Sequence, residues 1–283
     1  MSEQIDFKLL VDRLIRDSSR ATSAQQYFAN PGIRNWLSKT LSANAGEENS
    51  FLADPLFEAT FGWESSGNIW GDLEGNLLAP ATVKALDYKD SEHAISRNWH
   101  VYSHQLEAIK TLGAEDPVSL VVSSGTGSGK TECFLVPILD DLVRQSQSQS
   151  APLVGVQALF LYPLNALINS QRERLSAWMS PFNGKIQYSL YNGETKETAR
   201  EVVQEQVLSR KTLREAPPPL LLTNATMLEY MLVRSQDLPI LEKSLGKLKW
   251  IVLDEAHTYI GSQAAEIASV SYTHLTLPTN REV

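Results

Sequence analysis

Ser119-Leu120-Val121-Val122-Ser123-Ser124-Gly125-Thr126-Gly127-Ser128-Gly129-Lys130-Thr131 is the stretch on which the reading of this chain turns. A short apolar run leads into a glycine-rich loop, and a helical pattern opens at Glu132. Strand, loop and helix in that order are the context in which a loop can cradle phosphate. Glycines let successive backbone N–H groups close around phosphate oxygens, and the helix N-terminus adds partial positive charge. Lys130 would then sit on the β- and γ-phosphates of a nucleotide, and Thr131 would hold Mg2+. The strict pattern has glycine where Ser124 stands, so this is a looser variant of the loop.

Farther along, Trp250-Ile251-Val252-Leu253 runs into Asp254-Glu255-Ala256-His257, an apolar strand ending in two carboxylates. Ligands of open α/β sheets bind outside the carboxyl ends of the strands. Asp254 is expected to bind Mg2+ directly or through water, and Glu255 to orient and deprotonate an attacking water. Between the two motifs, further strands are expected at Val156–Tyr162, Ile186–Tyr191 and Leu220–Thr223, with Ser119–Ser123 as the first. Helical spacing links Leu164, Leu167, Ile168, Leu175, Trp178 and Met179. Near-continuous apolar strands separated by helices predict an α/β fold, its parallel sheet covered by helices on both faces.

Asp254-Glu255-Ala256-His257 spells a DEAH box, and Ser124 to Thr131 matches motif I of superfamily 2 helicases in all but its first residue. Other segments fall in family order. Tyr102-Ser103-His104-Gln105-Leu106-Glu107-Ala108-Ile109 looks like the adenine-reading Q-motif region. Tyr162-Pro163-Leu164-Asn165-Ala166-Leu167 resembles motif Ia, Tyr191-Asn192-Gly193-Glu194-Thr195 the next turn of the pattern, and Leu222-Thr223-Asn224-Ala225-Thr226-Met227-Leu228 motif Ib. Over about residues 99–269 the chain therefore resembles the superfamily 2 DEAD/DEAH-box helicases. The form of motif Ia and His257-Thr258-Tyr259 after the box resemble the large bacterial members allied to DNA-repair and anti-phage systems.

That resemblance implies a RecA-like P-loop lobe using ATP and Mg2+. It gives ATP binding to Tyr102, Gln105, Ser124, Gly125, Thr126, Gly127, Ser128, Gly129, Lys130 and Thr131, with Gln105 on the base edge and Tyr102 stacking. Thr131 and Asp254 become the metal residues, Glu255 and Lys130 the catalytic ones, and His257 a coupling residue. Pro163, Leu164, Asn165, Gly193, Thr223 and Asn224 become the nucleic-acid contacts, DNA in preference to RNA. Turns that end strands and open helices present N–H groups and short polar side chains, which grip phosphates without reading sequence. Arg172 and Arg174 could add charge.

Composition sets the limits. The chain has 283 residues, 42% of them hydrophobic, which excludes wholesale disorder. Its net charge of -8 supplies no global basic field for nucleic acid, and no Lys or Arg stands between Lys39 and Lys84. Apolar runs fall far short of the roughly 20 residues that span a bilayer, so no membrane partner is expected. The single cysteine, Cys133, excludes a disulfide scaffold or multi-cysteine zinc site and suits a reducing, cytoplasmic setting.

Three regions are expected. Residues 1–95 read as mainly helical: Phe7, Leu10, Val11 and Leu14, then Ile33, Trp36, Leu37 and Leu41, share helical spacing around an Asn30-Pro31-Gly32 turn. A third helix should open at Asp54-Pro55, with Phe57, Phe61, Trp63 and Trp70 forming a small helical core in preference to base-stacking platforms; Gly71–Arg97 reads as a connector. Residues 96–269 form the ATP-binding lobe, with Gln145–Ser150 as a polar loop. Residues 270–283 resemble translated sequencing-adapter read-through, a genuine strand or motif III being the alternative. Only 26 residues follow His257, so the second lobe that supplies an arginine finger is expected elsewhere in a longer parent. The expected function is thus the first motor lobe of an ATP-dependent helicase or translocase, inactive alone; the alternative is a non-catalytic module holding ATP and single strands.

Overall fold

The computed structural model describes residues 7–25, 28–47, 50, 53–54, 56, 62–88, 91–116, 118–125, 127–262, 264–265 and 267–268. They fall into two compact units, residues 1–62 and 63–283.

The first unit holds α1 (Phe7–Gln25) packed on α2 (Pro31–Leu41). Asn30 caps α2, its side-chain oxygen accepting from Gly32 N at 2.8 Å and Ile33 N at 3.4 Å, and Pro31 takes the first helical position where no N–H is needed. The helical spacing is therefore realised. The apolar faces lie largely on the surface of the unit, with Trp36 65% exposed, and among the described residues burial is confined to Ile15, Ser19 and Leu41. The helix expected from Asp54-Pro55, with Phe57 and Phe61, lies outside the described residues apart from isolated positions.

In the second unit, β1 (Ser65–Ile69) pairs antiparallel with β2 (His100–Tyr102), with α3 (Pro80–Leu86) between them and α4 (Ser103–Leu112) directly after. Next come α5 (Lys130–Gln147), β3 (Ala158–Leu161), α6 (Asn165–Met179), β4 (Tyr188–Tyr191), α7 (Arg210–Glu215), β5 (Leu220–Thr223), α8 (Ala225–Val233), α9 (Leu238–Ser244) and β6 (Trp250–Leu253). All four later strands are parallel, in the order β4-β5-β3-β6. Along β3 the side chains alternate between two apolar clusters. Ala158 and Phe160 join α3, α4, α5 and α6 on one face, while Leu159 and Leu161 join α7, α8 and α9 on the other. A strand buried on both faces must be apolar throughout, which explains its run of consecutive hydrophobic residues.

Two sequence expectations are corrected here. Ser119–Ser123 forms no strand: among the described residues it pairs with nothing, Val121 is 91% exposed, and the sheet ends at β6. Strand composition alone does not make a strand, because the conformation is held by ladder partners. Residues 63–95, read as part of the helical region, belong to the unit that carries the sheet. Trp70, Leu73, Leu78, Val83, Leu86 and Ile95 are buried in the same cluster as α5 and β3. The buried Asp140 of α5 fastens this segment, its Oδ1 accepting from Ala79 N and Thr82 Oγ1 at 2.6 Å each, which ties the start of α3 to α5. The polar Gln145–Ser150 stretch is also shorter as a loop than expected, since α5 continues through Gln147.

Candidate nucleotide and nucleic-acid site

The loop before α5 uses its glycines as backbone hinges. Gly127 and Gly129 hold φ of 78° and 74°, the left-handed region that side chains disfavour. At Gly129 a Cβ would also stand 2.2 Å from Gln105 Nε2. Ser124 and Ser128 share a hydrogen bond across the loop at 2.6 Å, so the serine in the place of glycine serves as an internal tie. Thr126 lies outside the described residues. Lys130 and Thr131 occupy the first turn of α5, and both are half-buried.

The segment Tyr102–Gln105 grips the loop from outside. The Gln105 amide is buried; its Oε1 accepts from Tyr102 N at 3.1 Å and its Nε2 donates to Gly129 O at 3.2 Å. His104 Nε2 lies 2.8 Å from Ser128 O, with its ring stacked on Tyr102 and edge-on to Trp63. Trp63 lies over Gly125, where a Cβ would come within 2.8 Å of the indole. Trp63 therefore packs on the loop, not in a helical core as its sequence neighbourhood predicts. A cleft of about 660 Å3 opens alongside, lined by Trp70, Trp99, Tyr102, Gln105, Gly127 and Gly129 among others.

The two acidic residues stand at the end of β6. Glu255 adopts φ 48° and ψ 47°, a strained backbone for a branched-chain-free but still L-configured residue. It is held by its N–H on Asp254 Oδ1 at 3.0 Å and by Thr258, whose N and Oγ1 donate to Glu255 O at 2.9 and 2.8 Å. Burial raises the Asp254 carboxyl above the usual aspartate range, with the Glu255 charge adding to the rise; the Glu255 N–H and the Lys130 charge oppose it. The His257 side chain is exposed, its Nδ1 3.4 Å from Glu255 Oε2.

Next to β6, the ends of β3, β5 and β4 bring the remaining segments into one row. Pro163, Leu164 and Asn165 follow β3, with Leu164 63% exposed. Asn224 caps α8, its Oδ1 accepting from Met227 N at 2.8 Å, while its Nδ2 donates to Asn165 Oδ1 at 2.8 Å and joins the two turns. Thr223 is fully buried and its hydroxyl donates to Tyr191 O at 2.6 Å, so this side chain works from inside the sheet. Gly193 is exposed at the tip of a turn in which Arg210 donates to Asn192 O and Thr195 O.

Several residues of this environment escape sequence reasoning. Trp63 and Arg210 act on the loops from elsewhere in the chain, and His104, inside the Tyr102–Ile109 segment, has a contact to Ser128 O that its sequence position does not announce. Arg174, expected only to add charge, pairs with Glu132 of α5 at 3.6 Å and lies over the Trp178 ring. Among the described residues no cluster of three or more His, Cys, Asp or Glu could hold a metal, and no helix is long and apolar enough to cross a membrane.

The sequence profile described as DEAD/DEAH box helicase matches residues 102–283. The chain belongs to that family. Relatives include the Druantia protein DruE of Escherichia coli, 27% identical over 78% of this chain and 17% of that protein, and the uncharacterized ATP-dependent helicase YprA of Bacillus subtilis, 28% identical over 60% and 20%. The helicase MrfA, in a crystal structure bound to DNA and AMPPNP, shares the fold with a TM-score of 0.50 and 24% identity over 70% of this chain and 24% of that one. The parallel sheet with helices on both faces is a RecA-like helicase lobe. The chain spans about a fifth of the length of the curated relatives named.

Proposed function

We propose that this chain is the ATP- and nucleic-acid-binding first lobe of a DEAH-box motor that acts on DNA, the second lobe lying in the remaining length of a longer parent. The observation that carries this reading is the loop before α5: two left-handed glycines lead into Lys130 at the N-terminus of that helix, Gln105 is bonded to the loop at Gly129 O, and Asp254 stands at the end of β6 in the same unit. The donor set fits a metal-nucleotide: loop N–H groups and one lysine face the phosphates, and one hydroxyl and one carboxylate suit a hard cation. Mg2+, held by Thr131 and Asp254, would neutralise phosphate charge there. Lys130 balances the remaining phosphate charge, and Glu255 accepts the proton of the attacking water.

Gln105 retains half of its hydrogen-bonding capacity. A carboxamide has two donor and two acceptor positions, and one of each is used within the protein. The remaining N–H and lone pair complement the N7 acceptor and N6 donor of adenine. At the other end of the site, Asn165 and Asn224 present helix N-termini to a strand running over β3 and β5. DNA is preferred to RNA on the likeness of Tyr162–Leu167 and His257-Thr258-Tyr259 to helicases allied with DNA repair. Calorimetric titration with Mg-ATP and Mg-GTP tests the base-reading role: ATP should bind at least tenfold more tightly, about 1.4 kcal/mol, and equal affinities would remove Gln105 from that role.

A further inference from the structure

Tyr259 closes the short 3-10 turn Ala256–Thr258 after the DEAH box, its N–H donating to Ala256 O at 3.2 Å. The residue is 9% exposed, and its ring belongs to the apolar cluster that includes Leu161 at the end of β3 and Ala225, Met227 and Leu228 at the start of α8. Tyr259 is thereby wedged behind the DEAH turn, among the elements whose ends carry Asn165 and Asn224. Its hydroxyl is buried and has no hydrogen-bond partner among the described residues. A phenol placed in a core normally finds a partner for its O–H, and phenylalanine would fill the same apolar volume without leaving a donor unsatisfied. Leu161 O accepts from Asp254 N at 3.0 Å, so the cluster that holds the Tyr259 ring reaches the backbone of Asp254, whose charge adds to burial in pushing the phenol up to about 12. One Asp254 oxygen accepts from Glu255 N, which leaves the other carboxylate oxygen open for a second donor or for the metal's water shell.

We propose that Tyr259 is a positioning residue for Asp254, its buried hydroxyl directed to an oxygen of the carboxylate or of a water that arrives with Mg-nucleotide. This rests on the nucleotide reading given above. In the metal-bound state the phenol O–H would donate to that oxygen, hold the carboxylate in the orientation that meets Mg2+, and keep its proton throughout. Because the ring is packed among residues leading to Asn165 and Asn224, the same contact joins metal binding to the row of nucleic-acid turns. Metal-site residues are commonly oriented by such outer hydrogen bonds.

The test is Tyr259→Phe in the 283-residue chain, titrated with a fluorescent ATP analogue in Mg2+ and again in EDTA, with thermal unfolding measured without nucleotide. The variant should lose roughly tenfold or more of the affinity in Mg2+, the worth of one hydrogen bond to a charged group. Its affinity in EDTA should match the wild type, and its unfolding temperature should equal or exceed it, because the variant leaves no buried hydroxyl unpaired. Full retention of the Mg2+-dependent gain would overturn the assignment. A fall in EDTA affinity and unfolding temperature together would also overturn it, by showing that the hydroxyl serves packing alone. If the wild type binds no nucleotide and equals Lys130→Ala, the nucleotide reading itself fails and the role of Tyr259 falls with it.

Discussion

Asp254 and Glu255 are neighbours with opposite demands. Asp254 is partly withdrawn from water and its carboxyl is raised, whereas Glu255 reaches solvent from a left-handed backbone. Stability follows the first. A carboxyl whose folded-state pKa lies above its unfolded value favours the protonated form on folding, so the folded chain loses stability as pH rises through that interval. Asp254→Asn removes the penalty while its side-chain oxygen can still accept from Glu255 N. Without nucleotide, this variant should unfold at a higher temperature than wild type at neutral pH, and the gain should fade as pH falls into the ordinary aspartate range; a loss at neutral pH would show that Asp254 is stabilising when charged. Activity follows the second. In a full-length protein with both lobes, Glu255→Gln should lower the hydrolysis rate by about 10²–10⁴ and leave ATP affinity intact. Retention of most of the rate would place the base on another residue.

Among the elements, α8 is the one whose start carries both structure and site. Asn224 caps it and also holds Asn165 of the neighbouring turn. Asn224→Ala should cost about 1 kcal/mol, which in a unit of this size is roughly 2–4 °C in unfolding temperature. Asn224→Asp should keep the cap but give up the tie to Asn165, and should weaken single-strand binding by adding charge against phosphate; equal binding by Asp and wild type would remove this turn from the interface. The strands β3 and β5 are legible in the sequence because burial on both faces makes each a near-continuous apolar run, and β6 reads as an apolar run although it is the half-exposed edge strand. The carboxylates, the lysine loop and the turns after β3 and β5 were legible because their chemistry sits in short contiguous segments. Ser119–Ser123 has the same local composition and no ladder, since pairing depends on a partner that composition does not reveal. Trp63 and Trp70 pack on residues that are not their neighbours in sequence, and the segment from residue 63 to 95 belongs with the sheet because Trp70 and Leu78 share a core with α5 and Asp140 of that helix bonds to Ala79 N.

On the proposed reading one lobe supplies loop, metal residues and base, but the arginine finger of such motors comes from another lobe and is worth roughly 10³–10⁵ in rate. The 283-residue chain should therefore show negligible ATP hydrolysis with or without single-stranded DNA. Turnover of roughly 1 s⁻¹, an ordinary if low enzyme rate, by a monomer would show that this lobe is sufficient. Its net charge of -8 opposes nucleic acid, so binding to single strands should be weak, steeply lowered by salt and indifferent to base sequence. The most direct measurement is equilibrium titration of the chain and of Lys130→Ala with a fluorescent ATP analogue in Mg2+. Binding by the wild type and loss of it in the variant are the expected pair of results, because Lys130 is the cation at the start of α5 whose charge reaches Asp254. Equal affinity in the two proteins would contradict the assignment of this loop as the phosphate site.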